Sequence, residues 1–383
     1  MKKLLGQLVK INSTFPNEKQ LALFLEKYLK KIGFKTKRQL VAKNRFNLLA
    51  EKGKGKKAIL FYGHLDTVGI CQGWKTNPFS LCQKQDKLFS LGARDMKSGI
   101  VAILKAVESI NNNGLKVKIA FCVDEENISQ GAFKLITSAW LKDVGLVVSA
   151  DSGDIFKESK LPFRYILGRR GRCVISVEIP GKSVHGAFPQ KGINAIDEAS
   201  RFILALTKLR QPKHKDLASS SLFVRKIDCQ SLGLSLADKT LLEIDKQLVP
   251  PEDPKKSLAL ISSFSRKLYN RGILKPELKK RFKAYLKPRK TAYLKPFIQD
   301  KDNKLIKMID KIIYQKYGLV DHNYGLSVAD DNIFYHYLTV PVVCLGVKGG
   351  NPHQANEWVS FKSMRELVTI YELLLKQILL KLL

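Results

Sequence analysis

A histidine and an aspartate stand two residues apart in FYGHLDTVG, where an apolar run stops just before a turn. Three further apolar runs also end in metal-binding groups: Glu125 and Glu126 in FCVDEEN, Asp151 in VVSADSGD, and His353 in VKGGNPHQANEW. Asp95, in LGARDMKSG, sits in a glycine-flanked stretch before a helical pattern. Imidazole and carboxylate donors in this number suit a pair of zinc ions, and they would accept cobalt or manganese as well. Residues two apart on a strand share a face, so the Asp66 carboxylate is expected to accept the second N–H of His64. Adjacent Glu125 and Glu126 diverge, so one can bind metal while the other moves a proton. Two ions sharing a carboxylate, with a spare carboxylate beside them, are equipped for metal-assisted amide hydrolysis.

Taken singly, each element has a plainer reading. A His-x-Asp pair is often a hydrogen-bonded surface pair, Asp-Glu-Glu a solvated turn, RDMKS an acidic helix start, and Asp154 competes with Asp151 as ligand. Their succession at the ends of apolar strands selects the metal reading.

The elements that must position these groups alternate. A helix over about Lys19 to Ile32 precedes strands in NRFNLLAEKG and KKAILFYGHLD, the second apolar enough to be buried on both faces. MKSGIVAILKAVESINNNG reads as a helix with an Asn and Gly stop, followed by the strands KVKIAFCVDEE and DVGLVVSADSGD. This order predicts an α/β fold whose mixed, largely parallel sheet carries helices on both faces and its functional groups at the carboxyl ends of strands. The texture changes near Gly168, where alternating strands and two helices indicate an inserted α+β domain over 172–288. Catalytic segments 1–171 and 289–383 flank it, the second containing VPVVCLGVKGG and a final helix.

Lys and Arg outnumber Asp and Glu by 67 to 34, a net charge of +33. The lysines are spread along the chain, as in a solvated Lys-rich surface, and no nucleic-acid motif accompanies them. The densest run, Arg271 to Pro296, reads as a helix followed by an interdomain crossing. Six cysteines lie far apart without a C-x-x-C pair, which argues for a reduced, cytoplasmic protein. Lys10 interrupts the apolar N-terminus, so an amphipathic helix replaces the signal-peptide reading. Charged residues at helical spacing likewise make the C-terminal segment a packed helix, with no membrane role.

GHLDTV, GARDMKSG, DEE, GKSVHGAFPQKGINAI and HQANEWV together resemble the dinuclear zinc peptidase and deacylase family that includes acetylornithine deacetylase, succinyl-diaminopimelate desuccinylase, aminoacylase, carboxypeptidase G and tripeptidase T. The resemblance covers essentially the whole chain. It implies that His64 and Asp151 bind one zinc, Glu126 and His353 the other, and Asp95 bridges them. It further implies that Glu125 is the general base, Asp66 the partner of His64, and His185 an oxyanion donor reaching a neighbouring subunit in a homodimer. The inserted domain would act as lid and dimerisation domain.

Two departures from the family pattern bear on substrate. Where relatives carry an Arg in an Asp-x-Arg strand for the substrate carboxylate, this chain has Gln247, preceded by Lys246, which could replace it as a point charge. Asp151 and ADDNIF resemble the peptidase branch, whereas GHLDTVGICQGWKTNPFS resembles the deacetylase and desuccinylase branch. The resulting expectation is hydrolysis of an N-acyl amino acid of the acetylornithine or succinyl-diaminopimelate type, with di- and tripeptides as the alternative substrates. Discrimination would lie around His185, Asn194 and Gln247, although Asn194 also suits a helix cap. A noncatalytic metal-binding scaffold or a basic polyanion binder is the alternative of another class; the complete ligand set and base weigh against it.

Overall fold

A computed structural model describes residues 1–108 and 116–377, so the expected helix stop at 111–114 and the last six residues of the final segment lie outside the described residues. By internal contacts the chain divides into two units: Met1–Arg169 with Ile298–Leu383, and Arg170–Phe297. The second unit runs past the expected 288 because Lys283–Leu286 is a strand and Arg172 bridges to Leu294.

Among the described residues, the first unit is built on a nine-stranded sheet. At its centre lie four adjacent strands in the order Lys116–Cys122, Ala58–His64, Val144–Ser149 and Val342–Gly346, and each neighbouring pair is parallel. Arg45–Lys52 and Arg164–Arg169 flank them antiparallel. Every residue of Ala58–His64 is buried, as its unbroken apolar run requires. Successive residues face opposite sides of a sheet, and Phe61 meets Tyr371 of the Phe361–Gln377 helix while Tyr62 meets Phe334 of the Asp331–Tyr337 helix. Helices therefore cover both faces. The final helix buries Met364, Leu367, Ile370, Tyr371, Leu374 and Leu375, and among the described residues no helix is long and apolar enough to cross a membrane.

Sequence reading misses the edge strand Lys35–Ala42, whose residues are all partly or fully exposed and lack apolar alternation. It also misreads the cationic run. Pro276–Arg281 is a 3-10 turn and Lys283–Leu286 an edge strand, because Phe282, Ala284 and Leu286 alternate with outward residues and lean on the second unit's core.

In that unit four antiparallel strands run in the order Ser221–Cys229, Lys239–Leu248, Gly171–Pro180 and Lys283–Leu286. Cys173, Ile175, Val177 and Ile179 form one core with Leu242, Ile244 and Leu248 and with Phe202 and Ile261 from the helices Ala195–Leu206 and Pro254–Asn270. Arg172, Glu178, Glu243 and Asp245 alternate onto the other face, giving the expected α+β texture.

Two glycines let the first unit's segments close on the turn that carries Asp151. A Cβ on Gly99 would lie 2.3 Å from the Ala150 carbonyl oxygen, and one on Gly346 would lie 2.1 Å from that of Asp151. Gly99→Ala is accordingly expected to cost about 1–3 kcal/mol through overpacking. Gly69→Ala, at an exposed position with nothing within 4 Å, should stay within about 0.5 kcal/mol. Urea midpoints compare the two, and equal midpoints would refute the close-approach argument.

Candidate metal centre

Five of the candidate groups lie at or after the carboxyl ends of the four central parallel strands: His64 ends one, Glu125 and Glu126 follow Cys122, Asp151 follows Ser149, and His353 follows Gly346. Parallel strands place such ends side by side along one sheet edge. Asp95 joins them from the turn that precedes the Ser98–Glu108 helix.

One donor atom from each of His64, Asp95 and Asp151 lies within 4.8 Å of the others. The same holds for Asp95, Glu126 and His353, and for His64, Glu125 and Glu126. Asp95 therefore belongs to a set on either side: its Oδ1 is 3.0 Å from His64 Nε2 and its Oδ2 is 3.6 Å from His353 Nε2. Glu126 Oε2 is 3.0 Å from the same His353 nitrogen. Nitrogen and oxygen donors converging in two sets about a shared carboxylate fit a pair of divalent ions.

The electrostatics have one cause, negative charge out of water. Burial raises Glu125 well above the usual carboxylate range, with Glu126, Asp330 and Asp151 adding to the effect and His64 opposing it. Burial likewise raises Asp66 to about 7 and Asp330 to about 6. Asp95 goes the other way: its contacts with His353 and His64 outweigh burial and hold it well below the ordinary range. Those same contacts with Asp95 and Glu126 lift His353 to about 11.

Asp66 requires a correction. His64 Nδ1 is 2.9 Å from the backbone oxygen of Asp66 and 3.8 Å from its carboxylate. The strand ends at His64, so two-residue alternation no longer applies at Asp66. A carbonyl only accepts, which leaves Nδ1 as the donor and aims Nε2 at Asp95. The Asp66 carboxylate accepts instead the N–H groups of Glu125 at 3.2 Å and Glu126 at 2.9 Å. It holds the glutamate turn.

Lys246 is also corrected. It alternates onto the helix-covered face with Leu242, Ile244 and Leu248 and is 0% exposed, its ammonium bound to Gln211, Ser220 and Glu252. A fully buried, fully paired ammonium is a structural ion, so it cannot serve as a point charge for substrate. Gln247 faces the opposite side and hydrogen-bonds Asp245, which Arg172 grips with Nε and Nη2. Asn194 caps the Ala195–Leu206 helix by accepting the Ile196 N–H.

His185 belongs to the second unit, whereas the other seven candidates belong to the first. It is exposed and its Nδ1 accepts the Ala187 N–H at 3.1 Å, so its proton resides on Nε2.

Sequence reasoning missed the groups that brace the candidate ligands. Arg169, wholly buried, donates to Asp151 at 2.8 Å and to Asp331 at 2.6 Å. Tyr62 donates to Asp330, and Glu357 accepts backbone N–H groups around Asp95. The available signals were the charged GRRG stretch, whose Arg169 ends the strand Arg164–Arg169, and the acid in HQANEW.

The chain is similar to known proteins along most of its length. A succinyl-diaminopimelate desuccinylase of Sulfurovum sp. is 24% identical over 370 residues, 96% of either chain. An acetylornithine deacetylase of Buchnera aphidicola subsp. Schizaphis graminum is 33% identical over 170 residues, covering 44% of this chain and 42% of that one. The fold is shared with a tripeptidase from Staphylococcus aureus, with a TM-score of 0.78 and 20% identity over 99% of this chain and 98% of that one. Residues 60–377 match Peptidase family M20/M25/M40, and the chain belongs to that family of metal-dependent hydrolases.

Proposed function

We propose that the chain is a dinuclear zinc amidohydrolase that removes the acyl group of an N-acyl amino acid, of the succinyl-diaminopimelate or acetylornithine type. The observation that carries this reading is Asp95 shared between two ligand sets with Glu125 beside them. His64 and Asp151 would hold one ion, Glu126 and His353 the other, with Asp95 common to both. When bound, such ions polarise the amide carbonyl and acidify a water. Glu125, a carboxylate beside both ligand sets, would take the water's proton and deliver it to the leaving amine nitrogen. His185 presents Nε2–H as a donor for the oxyanion. Curated relatives matched over nearly their whole length support the acyl amino acid. Asp151 favours a second reading, a di- or tripeptide.

A homodimer is part of the proposal, with the lid and dimerisation role assigned to the second unit. The edge strand Ser221–Cys229 exposes Phe223 by 55% and Ile227 by 60%, an open edge with apolar cover missing. The six unpaired cysteines support a reducing, cytoplasmic setting.

Three outcomes are expected. Amine release from zinc-loaded protein should follow N-succinyl or N-acetyl amino acids and stop with chelator, and Glu125→Gln should lower it by about 10²–10⁴-fold while zinc stays bound. Turnover of peptides alone would select the second reading, and an unaltered Glu125→Gln rate would remove that residue from its role.

Mixing Glu125→Gln with His185→Ala protein, each inactive alone, should restore turnover if His185 acts across a dimer. A monomer by light scattering, with no restored turnover, would end the idea.

The third outcome concerns pH. A carboxyl raised by folding, such as Asp66 from 3.8 to about 7, binds more protons in the folded than in the unfolded chain between those values. Its stability contribution is therefore full below the lower value and lost as pH rises through the upper one. His353, raised from 6.5 to about 11, extends the loss upward. Metal at His353 takes the place of that residue's proton, and its positive charge disfavours protons on nearby carboxyls, so the gain in melting temperature from zinc should be larger at about pH 7.5 than at about pH 5.5. Calorimetry with zinc and with chelator measures it; a gain that shrinks with pH would contradict the cluster's electrostatics.

A further inference from the structure

Glu357 is a carboxylate only 2% exposed, four residues beyond His353. Its Oε2 accepts the N–H of Gly92 at 2.8 Å, and its Oε1 accepts those of Arg94 at 2.7 Å and Asp95 at 3.0 Å. The segment it grips is irregular: Gly92 has φ 70° and Asp95 has φ −121° and ψ 91°, so its amides lack helical partners. A carboxylate with two oxygens is the side chain able to satisfy three converging donors.

The placement of Glu357 is itself fixed by a ladder. Trp358–Ser360 pairs with Lys87–Phe89 on one side and with Gly349–Gly350 on the other. His353 lies in the loop between Gly349–Gly350 and Trp358–Ser360, and the Lys87–Phe89 strand leads into the Asp95 turn. Glu357 thus closes a short circuit between two candidate ligands.

We infer that Glu357 is a positioning residue which, by holding the Gly92–Asp95 amides from the His353 loop, sets Asp95 so that its two oxygens face His64 and His353 separately. The inference rests on the dinuclear reading above. The competing role is charge compensation: Lys97, itself buried, has Glu357 as its electrostatic partner and donates to the Ile11 carbonyl at 2.9 Å. Shape and charge separate the two roles. Glu357→Asp keeps the charge but is too short to reach three amides, whereas Glu357→Gln keeps the reach but turns an N–H group toward one of them.

Cobalt(II) titration of chelator-stripped protein, followed by the visible absorption of the bound ion, tests this without recourse to activity. Wild type is expected to take up two ions. Both variants are expected to fold, by far-UV circular dichroism, yet to bind cobalt about 10–100-fold more weakly, with an altered absorption band. Wild-type-like binding by Glu357→Asp would leave only the charge role and overturn the inference. Unchanged affinity and band in both variants, with lower melting temperatures alone, would make Glu357 merely structural and overturn it equally. If wild type itself fails to bind two ions, the dinuclear reading falls first and the inference falls with it.

Discussion

Much of the first unit answers one constraint: buried carboxylates repel one another in a medium that screens them poorly. Beyond burial itself, Glu125 is raised by Glu126, Asp330 and Asp151, Asp151 by Asp95 and Asp331, and Asp66 by Glu126. The protein meets this charge in three ways. Arg169 stands between Asp151 and Asp331, its guanidinium shared by both. The two histidines face Asp95 and Glu126. Backbone amides do the rest, two at Asp66 and three at Glu357. Metal ions would complete the neutralisation, which is why a cluster costly to the bare protein is a good site for them.

The sheet is what makes such crowding possible. Four parallel strands end in register along one edge, with His64 opposite Cys122 and Tyr62 opposite Ser149. Each end contributes one loop, and no loop need be long to reach the next. Rigid strand ends then leave only the loop turns to be set, and Asp66 and Glu357 hold them through main-chain N–H groups. Main-chain donors cannot rotate away as side chains can, so ligand geometry is tied to the sheet itself.

This division explains what was legible from sequence. Strand ends were legible because apolar runs and acidic tips are both local signals, and Glu125, Glu126, Asp151, His64 and His353 all carry them. The partners were not. His64 and Asp66 looked like an imidazole and its carboxylate, but the strand stops between them and the carboxylate turns to the glutamate loop. Lys246 looked available because one residue of alternation decides between solvent and core, and Gln247 has the open face instead. Arg169 and Glu357 act through contacts 18 and 262 residues away in sequence, where no local pattern can point. The edge strands Lys35–Ala42 and Ser221–Cys229 are half solvated, so burial leaves little periodicity in them.

The surplus of positive charge has a structural account in its densest run. Arg271 to Pro296 holds ten Lys and Arg against the single acid Glu277. Lys279 donates to Asn270, Arg281 to the Gly181 carbonyl, Lys287 to Glu243 and Arg289 to Thr291. Cations spent on such contacts are fixed in orientation and partly neutralised. Lys283 lies on the sheet's edge strand, where a lysine discourages pairing with another chain. The opposite edge, Ser221–Cys229, has Phe223 and Ile227 exposed instead. One edge thus carries a lysine and the other exposes apolar side chains, and the contacts of the cationic run give its charge a structural role within the second unit.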